Sequence, residues 1–203
     1  MVRTQLAAVF EELNPAAAKT GMLFSSPLIR AVADFLSRHR LPLVVDPVMI
    51  STSGAQLLNP AAVHVLCKEL LPLATLVMPN LQEAEILVSR KLASVEDLRA
   101  AAGELQRRYG CAALVKGGHL RVLKQAVDIF NDGHEELLLS APFIRGIRTH
   151  GTGCTYSAAV TGYLARGDSL RRAVIQAKEY ITQAIARSQS AGGHNVLKSF
   201  WAR

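Results

Sequence analysis

Long apolar runs, aromatic residues and cysteines are all scarce in this chain, and each shortage excludes a class of protein. No stretch of about 18 apolar residues occurs, so no membrane-spanning helix is expected. The 203 residues include only three cysteines, and no CxxC pair or cysteine–histidine cluster has the spacing of a zinc site. Because Cys67, Cys111 and Cys154 are odd in number and far apart, they favour a reducing, cytoplasmic compartment.

The scarcity of aromatic residues also limits the partners of a basic chain. Aromatic residues make up 5% of the sequence, whereas the formal net charge is +7. A positive surface attracts polyanions. Surfaces that stack nucleic-acid bases, however, interleave basic with aromatic residues, and no such run is present. We therefore expect no nucleic-acid partner. The charge fits a surface that draws in ATP and phosphorylated substrates, or simply a solvated basic surface.

The chain does contain a regular alternation of helical and strand-like segments. Half of its residues, 50%, are hydrophobic, which suffices for one core, so we expect a single domain over residues 1–203. Helical patterns occupy 2–13, 27–38, 94–108, 152–166 and 168–188. Strand-like runs occupy 16–19, 41–45, 73–78, 112–115, 126–131 and 135–141, the last two joined as a hairpin. Strands separated by helices predict an α/β fold with a mostly parallel central sheet.

Polar residues follow these predicted strands at the end where parallel sheets bind ligands. Asp46 directly follows one strand-like run, Asn80 and Glu83 follow the next, and Lys116 follows a third. Asn80 is also a typical helix N-cap. This arrangement predicts a ligand site at one edge of the sheet, independently of any family.

The most informative segment is residues 149–155, THGTGCT, which precedes a helix rich in small residues. Two glycines bracket Thr152 where the helix begins, so backbone N–H groups can converge there and the helix N-terminus adds positive potential. Such an arrangement forms an anion hole, which a transferring phosphoryl group requires. The simpler interpretation is a tight turn followed by a small-residue packing face.

Five segments, in the same order, resemble the hydroxymethylpyrimidine kinases of thiamine synthesis, which belong to the ribokinase-like superfamily. They are residues 19–23 (KTGML), 45–49 (VDPVM), 79–85 (PNLQEAE), 115–120 (VKGGHL) and 151–154 (GTGC). A sixth segment, 192–195 (GGHN), matches weakly because it lacks an expected proline. The resemblance covers nearly the whole chain and implies a three-layer ribokinase-like fold.

The resemblance implies a catalytic role for five residues. Cys154 would be the base for the substrate hydroxyl, since a helix N-terminus favours the thiolate form of a cysteine. Lys116 would act as a point charge on phosphate oxygens. The backbone of Gly151, Thr152 and Gly153 would complete the anion hole. Taken alone, Cys154 also fits a buried small hydrophobe, and Lys116 an exposed lysine at a strand end.

The same resemblance implies contacts to ATP, Mg²⁺ and a pyrimidine. The implied ATP contacts are Asn80, Lys116, Gly117, Gly118, Thr149, Gly151 and Gly153. The pyrimidine pocket would include Met22, Val48 and Cys154. Asp46 and Glu83 would hold Mg²⁺, which prefers few protein ligands and several waters. Taken alone, Asp46 also fits a turn former and Glu83 an acid in a capping turn.

One part of the family pattern has no counterpart in the sequence. In the family, a strand and a glycine-rich turn resembling GSDSSGGAG precede the segment that matches residues 19–23. We therefore expect the N-terminal strand to be missing from the sheet, while the half that binds ATP and metal is kept. A start assigned too late and a truncated relative are both open explanations.

The leading functional hypothesis is ATP-dependent phosphorylation of a hydroxymethyl-aminopyrimidine or of its monophosphate. We expect the protein to be cytoplasmic and to form a homo-oligomer, namely a dimer. Pyridoxal kinase is a close alternative, because some relatives with the cysteine signature act on both rings. Two other classes are a non-catalytic nucleotide-binding remnant and a basic scaffold. Binding of ATP without turnover would favour the remnant.

Overall fold

The structure, a computed structural model, describes residues 1–51, 54–118, 120, 125–144, 151–191 and 194–200. Its helices are α1 (Val2–Leu13), α2 (Ser26–Leu36), α3 (Pro60–Val65), α4 (Leu81–Val88), α5 (Val95–Tyr109), α6 (Thr152–Ala165) and α7 (Leu170–Ala186). Its strands are β1 (Ala18–Thr20), β2 (Leu43–Val45), β3 (Leu76–Val77), β4 (Ala112–Lys116), β5 (Gln125–Asn131), β6 (Glu136–Pro142), β7 (Gln189–Ala191) and β8 (His194–Val196). No helix in these ranges has the length and apolar character needed to cross a membrane.

The first six strands form one sheet in the order β1-β2-β3-β4-β5-β6. β1 to β4 are parallel to one another, and β5 and β6 extend the sheet as an antiparallel hairpin. The parallel strands are joined through helices, as βαβ units require. β7 and β8 pair with each other in a separate two-stranded sheet. The predicted α/β fold with a mostly parallel central sheet is thus confirmed.

Helices cover both faces of this sheet and give the expected three layers. Helices α2 to α5 pack against Val45 and Val77 on one face, and α6 and α7 pack against Val44 and Leu76 on the other. Successive strand residues point to opposite faces, and all four of these side chains are fully buried. Because both faces are covered, β2 and β3 have no polar positions.

A reciprocal capping box fixes the start of α4. Asn80 Oδ1 accepts a hydrogen bond from the Glu83 N–H at 3.0 Å, and the Glu83 carboxylate accepts one from the Asn80 N–H at 2.8 Å. The same type of box, made by Ser94 and Asp97, begins α5. The predicted role of Asn80 as an N-cap is therefore confirmed, and the box places Glu83 at the end of β3.

Several elements differ from the sequence-based expectation. β3 is limited to Leu76–Val77, although residues 73–78 have a strand-like pattern, because a 3₁₀ turn with Pro72 near its start occupies Leu71–Leu73. β1 lies slightly later than the predicted run 16–19. The β7–β8 hairpin is not predicted, since three-residue polar strands carry no periodic signal. His119, His150 and the two glycines of the weak sixth motif lie outside the described residues.

β1 lies at one edge of the six-stranded sheet. The Ala18 N–H donates to the Pro42 carbonyl oxygen at 2.9 Å, and the Thr20 carbonyl accepts from the Asp46 N–H at 3.1 Å. Both bonds point towards β2. Because backbone groups alternate in direction along a strand, the N–H and C=O of Lys19 point to the opposite side. No strand in the described part of the chain pairs with that side.

Candidate active site

An ion pair joins the carboxyl ends of β2 and β4. Lys116 Nζ lies 2.9 Å from Asp46 Oδ1, and the two side chains are 13% and 3% exposed. Val45 and Val115 face α2 to α5. Because side chains alternate along a strand, the residues that follow them, Asp46 and Lys116, face α6. The pair therefore holds the Lys116 ammonium at the edge where the sequence predicts a ligand, and on the face covered by α6.

The first turn of α6 lies directly over this ion pair. Ser157 donates a hydrogen bond to Asp46 Oδ2 at 3.1 Å, and its hydroxyl is also 3.1 Å from the carbonyl oxygen of Cys154. A β-carbon on Gly153 would lie 3.5 Å from Lys116 Nζ and 4.0 Å from Asp46 Oδ2. The fold thus brings the predicted Asp46, Lys116 and GTGC segment together.

The N-terminus of α6 has the form of an anion site. Gly151 precedes the helix with a φ of 81°, a left-handed conformation that glycine adopts without strain, and as the N-cap residue it has no side chain to cap the helix. The Thr155 N–H donates to the Gly151 carbonyl at 2.8 Å. Backbone N–H groups ahead of that first bond have no acceptor within a helix. Their positive potential adds to that of Lys116. Thr149, the remaining predicted residue of this segment, lies outside the described residues.

Glu83 is buried beside the ion pair, at the start of α4. Its carboxylate accepts hydrogen bonds from the N–H groups of Asn80 at 2.8 Å and Met49 at 3.4 Å, and the residue is 2% exposed. Burial raises the pKa of Glu83 to about 7; the positive charge of Lys116 opposes this rise, and the negative charge of Asp46 adds to it. A cation brought to this edge would therefore favour the ionised form.

We expect Glu83 to make folding stability depend on pH. The carboxyl group ionises near pH 4.5 in the unfolded chain but stays protonated to about pH 7 in the folded protein. The native state therefore binds more protons in this window. The contribution of Glu83 to the free energy of unfolding is greatest below pH 4.5. It falls by about 3 kcal/mol as the pH rises through about 7, the pKa in the folded protein. Glu83→Gln should remove this slope, as measured by urea unfolding at about pH 5 and about pH 8. Equal slopes in the two proteins would contradict the titration.

Protein donors already engage the two carboxylates predicted to hold Mg²⁺. Asp46 accepts from Lys116 and Ser157, and Glu83 accepts from two backbone N–H groups. Across the described ranges, no group of three or more His, Cys, Asp or Glu residues could hold a metal ion. The carboxylates of Asp46 and Glu83 do not enclose a metal ion on all sides. They fit an ion that takes most of its ligands from water and phosphate oxygens, as Mg²⁺ commonly does.

Cys154 lies on the first turn of α6 with an exposed side chain. This exposure removes the alternative of a buried small hydrophobe and leaves the thiol accessible to a substrate. The other predicted pyrimidine contacts follow neighbouring strand ends. Met22, after β1, is 52% exposed, and Val48, after β2, is half-buried. These residues border the same edge of the sheet from the β1 side.

The two glycines after Lys116 have different surroundings. A β-carbon on Gly117 would clash with Leu98 Cδ1 and lie 2.5 Å from the Val127 carbonyl oxygen, so only glycine fits without displacing backbone. A β-carbon on Gly118 would meet no atom of the described residues within 4 Å. Gly117 thus anchors the turn to β5, and Gly118, where the sequence predicts ATP, is not crowded by the described part of the chain.

Sequence reasoning missed three residues of this region: Ser157, Asp128 and Lys178. Ser157 is fully buried and bonded to Asp46, which lies 111 residues away. Asp128 and Lys178 form a buried ion pair next to Lys116. One signal for Asp128 was available, because a carboxylate within the apolar run Ala126–Phe130 needs a buried partner. Nothing local distinguishes Ser157 from the other small residues of α6.

Comparisons with known proteins bear on the family to which the chain belongs. The profile of the family described as phosphomethylpyrimidine kinase matches residues 1–198. The hydroxymethylpyrimidine/phosphomethylpyrimidine kinase of Rhizobium meliloti is 46% identical over 187 residues, which cover 92% of this chain and 70% of that protein. The thiamine biosynthesis bifunctional protein ThiED of Geobacter sulfurreducens is 46% identical over 203 residues, which cover 99% of this chain and 41% of that protein.

Solved structures show the same relationship. An ADP complex of Bacillus subtilis pyridoxal kinase has a TM-score of 0.90 and 35% identity to this chain, and the match covers 98% of this chain and 75% of that one. The chain thus spans less than half of the bifunctional relative and about three quarters of the pyridoxal kinase. Similarity over nearly all of its own length confirms the resemblance found in the motifs. The chain belongs to the phosphomethylpyrimidine kinase family.

Proposed function

We propose that this chain transfers a phosphoryl group from ATP to a hydroxymethyl-aminopyrimidine, or to the monophosphate of that compound, in thiamine synthesis. The observation that carries the proposal is the Lys116–Asp46 ion pair beneath the N-terminus of α6. The Lys116 ammonium lies 3.5 Å from where a β-carbon on Gly153 would be, so it is close to the backbone N–H groups of the first turn of α6. Phosphoryl transfer needs this kind of preorganised positive surround more than it needs covalent help from the protein.

Each residue of the site has a separate role in the proposed reaction. Cys154, as thiolate, takes the proton of the substrate hydroxyl while that oxygen attacks the γ-phosphorus, and the bond from this phosphorus to the bridging oxygen of ADP breaks. The N–H groups of Gly151 to Cys154 and the Lys116 ammonium stabilise charge on the transferring oxygens. Asp46 orients Lys116. Asn80, Gly117 and Gly118 border the nucleotide, and Thr149 stays a predicted contact outside the described residues.

Mg²⁺ fits the same edge of the sheet in this proposal. When bound, it neutralises phosphate charge. Asp46 and Glu83 are the carboxylates that would hold it, through water where their own oxygens are engaged by protein donors. Met22 and Val48 would contact the pyrimidine ring beside Cys154.

Pyridoxal phosphorylation is the second candidate, and the high TM-score with Bacillus subtilis pyridoxal kinase favours it. One assay separates the candidates: ADP release measured with the aminopyrimidine, its monophosphate and pyridoxal as acceptors. It should be run on this chain and on an extended version, in which the family's glycine-rich N-terminal segment precedes residue 1. The proposal predicts the highest kcat/KM for the pyrimidine or its monophosphate. A preference for pyridoxal, or ATP binding without transfer by the extended version, would refute it.

We expect ATP with Mg²⁺ to raise the melting temperature of this chain, because a ligand that binds only the native state stabilises it. Glu83→Gln should reduce the shift, since it removes the buried carboxylate beside the phosphate site. Glu96→Gln is a matched control, because Glu96 lies exposed in the first turn of α5. Thermal unfolding with and without MgATP measures the effect. No shift at saturating nucleotide, or equal shifts in both variants, would contradict the assignment.

A further inference from the structure

A second buried ion pair lies behind Lys116, on the same face of the sheet. Asp128 on β5 is directly opposite Lys116 on β4, so both side chains face α6 and α7. Lys178 Nζ, on α7, lies 2.7 Å from Asp128 Oδ2 and 3.1 Å from the Ala126 carbonyl oxygen. The side chains of Asp128 and Lys178 are 5% and 11% exposed. This pair has no place in the chemistry described so far.

Asp128 also holds the turn that follows Lys116. The Gly117 N–H donates both to Asp128 Oδ1 at 3.1 Å and to the Val127 carbonyl at 3.0 Å. One carboxylate oxygen of Asp128 therefore binds the backbone next to Lys116, and the other binds Lys178. The Gly117 N–H belongs to the peptide unit that joins Lys116 to Gly117, so this hydrogen bond connects Asp128 directly to the backbone beside Lys116.

Four charged side chains of alternating sign cross this face in the order Asp46, Lys116, Asp128, Lys178. Lys116 lies between two carboxylates and forms its ion pair with Asp46. Burial raises the pKa of Asp128, while the charges of Lys178 and Lys116 work against this rise. If Lys178 were absent, Lys116 would be the remaining cation among the described residues whose charge acts on Asp128. An unpaired buried carboxylate is costly, so it would compete with Asp46 for Lys116.

We propose that Asp128 and Lys178 are positioning residues for Lys116. Lys178 saturates Asp128, so that the Lys116 ammonium stays with Asp46 beneath the first turn of α6. Asp128 in turn fixes the Gly117 backbone. This inference rests on the proposed phosphate-binding role of Lys116, and the two can be tested separately.

The main test is the Kd for MgATP, measured by calorimetry at a temperature where each variant is folded. Lys178→Met leaves Asp128 uncompensated, and its Kd should rise about tenfold or more as Lys116 is drawn away. Arg171→Met is the matched control, because Arg171 lies on the same helix and pairs with Glu135 at 3.1 Å in solvent. Its Kd should stay within about twofold of the original, as expected for an exposed pair.

Two double variants separate positioning from stability. Asp128→Asn with Lys178→Met removes both charges but keeps an oxygen for the Gly117 N–H, and should restore the Kd to within about threefold. Asp128→Leu with Lys178→Met also removes that acceptor, and should bind MgATP more weakly than the first double variant. This second comparison keeps the proposal testable if Lys178→Met alone does not fold. A single variant with unchanged Kd, or two double variants with equal Kd, would overturn it.

A crystal structure of Lys178→Met gives a readout that does not depend on nucleotide. Lys116 Nζ should have left Asp46 and bonded Asp128. That result in a protein that binds no MgATP would support the positioning role and refute the proposed function. Lys116 still paired with Asp46 would refute the positioning role, whatever the protein binds.

Discussion

Replacing Cys154 with alanine should lower phosphoryl transfer about a hundredfold to ten-thousandfold, the usual cost of losing a positioned base. The Kd for MgATP should change little, because the proposed anion hole uses backbone N–H groups and Lys116 and does not use the thiol. The comparison should be made in the extended version, in which the family's glycine-rich N-terminal segment precedes residue 1. Single-turnover kinetics and calorimetry on the same preparation measure the two quantities.

The position of Cys154 explains why the effect should fall on turnover. Its thiol is exposed on the first turn of α6, and the carbonyl of the same residue lies 3.1 Å from the hydroxyl of Ser157, which in turn bonds Asp46. The backbone of Cys154 is thus held in place independently of its sulfur. Alanine keeps that backbone and removes only the thiol that is proposed to accept the proton.

The other two cysteines provide the control. Burial raises the pKa of Cys67, and it raises that of Cys111 to about 11, so neither thiol is suited to act as a base. Cys111→Ala should therefore leave turnover per folded molecule near its original value. Near-normal turnover in Cys154→Ala would exclude the cysteine as the base and leave the anion hole and Lys116 as the main catalysts.

Short sequence motifs, each confined to a few neighbouring residues, predicted much of this site. Asn80 and Glu83 are three residues apart, and their spacing alone indicates a helix start after a strand. Asp46 and Lys116 each end an apolar strand-like run, and parallel strands bring such ends to one edge. The contact between these two residues follows from topology, although its length of 2.9 Å does not.

Contacts between distant segments could not be predicted in the same way. Ser157 reaches Asp46 across 111 residues, and Lys178 reaches Asp128 across 50. Each depends on how α6 and α7 lie on the sheet, which the helical pattern of their apolar residues does not specify. A buried lysine on a helix also looks like a surface lysine in sequence, since its long apolar stem fits either environment.

We expect the 203-residue chain by itself to self-associate and to phosphorylate the pyrimidine slowly or not at all, even where it binds ATP. The outer side of β1 carries backbone groups of Lys19 that pair with no strand in the described residues. The loop after β1 exposes Met22 and Phe24 to 52% and 68%. Open strand edges next to exposed apolar side chains favour pairing with another chain. The expected homo-oligomer remains a prediction that the same measurement addresses.

One further feature of this edge points the same way. The Thr20 hydroxyl oxygen is buried and has no hydrogen-bond partner in the described part of the chain. An element added beside β1 would lie next to Thr20. The family's N-terminal strand and glycine-rich turn supply elements of that kind.

Sedimentation, urea unfolding and kinase turnover of this chain and of the extended version, measured side by side, test the expectation. The extended version should be better defined in oligomeric state, more stable and active. Lys19→Pro is the matched variant, because it removes the outward N–H of β1 and leaves the bonds of Ala18 and Thr20 to β2 in place. It should reduce self-association of this chain and, in the extended version, lower stability and turnover by blocking the added strand. A monomeric chain of 203 residues that unfolds cooperatively and shows full turnover would mean that the substrate site is built without any element beside β1.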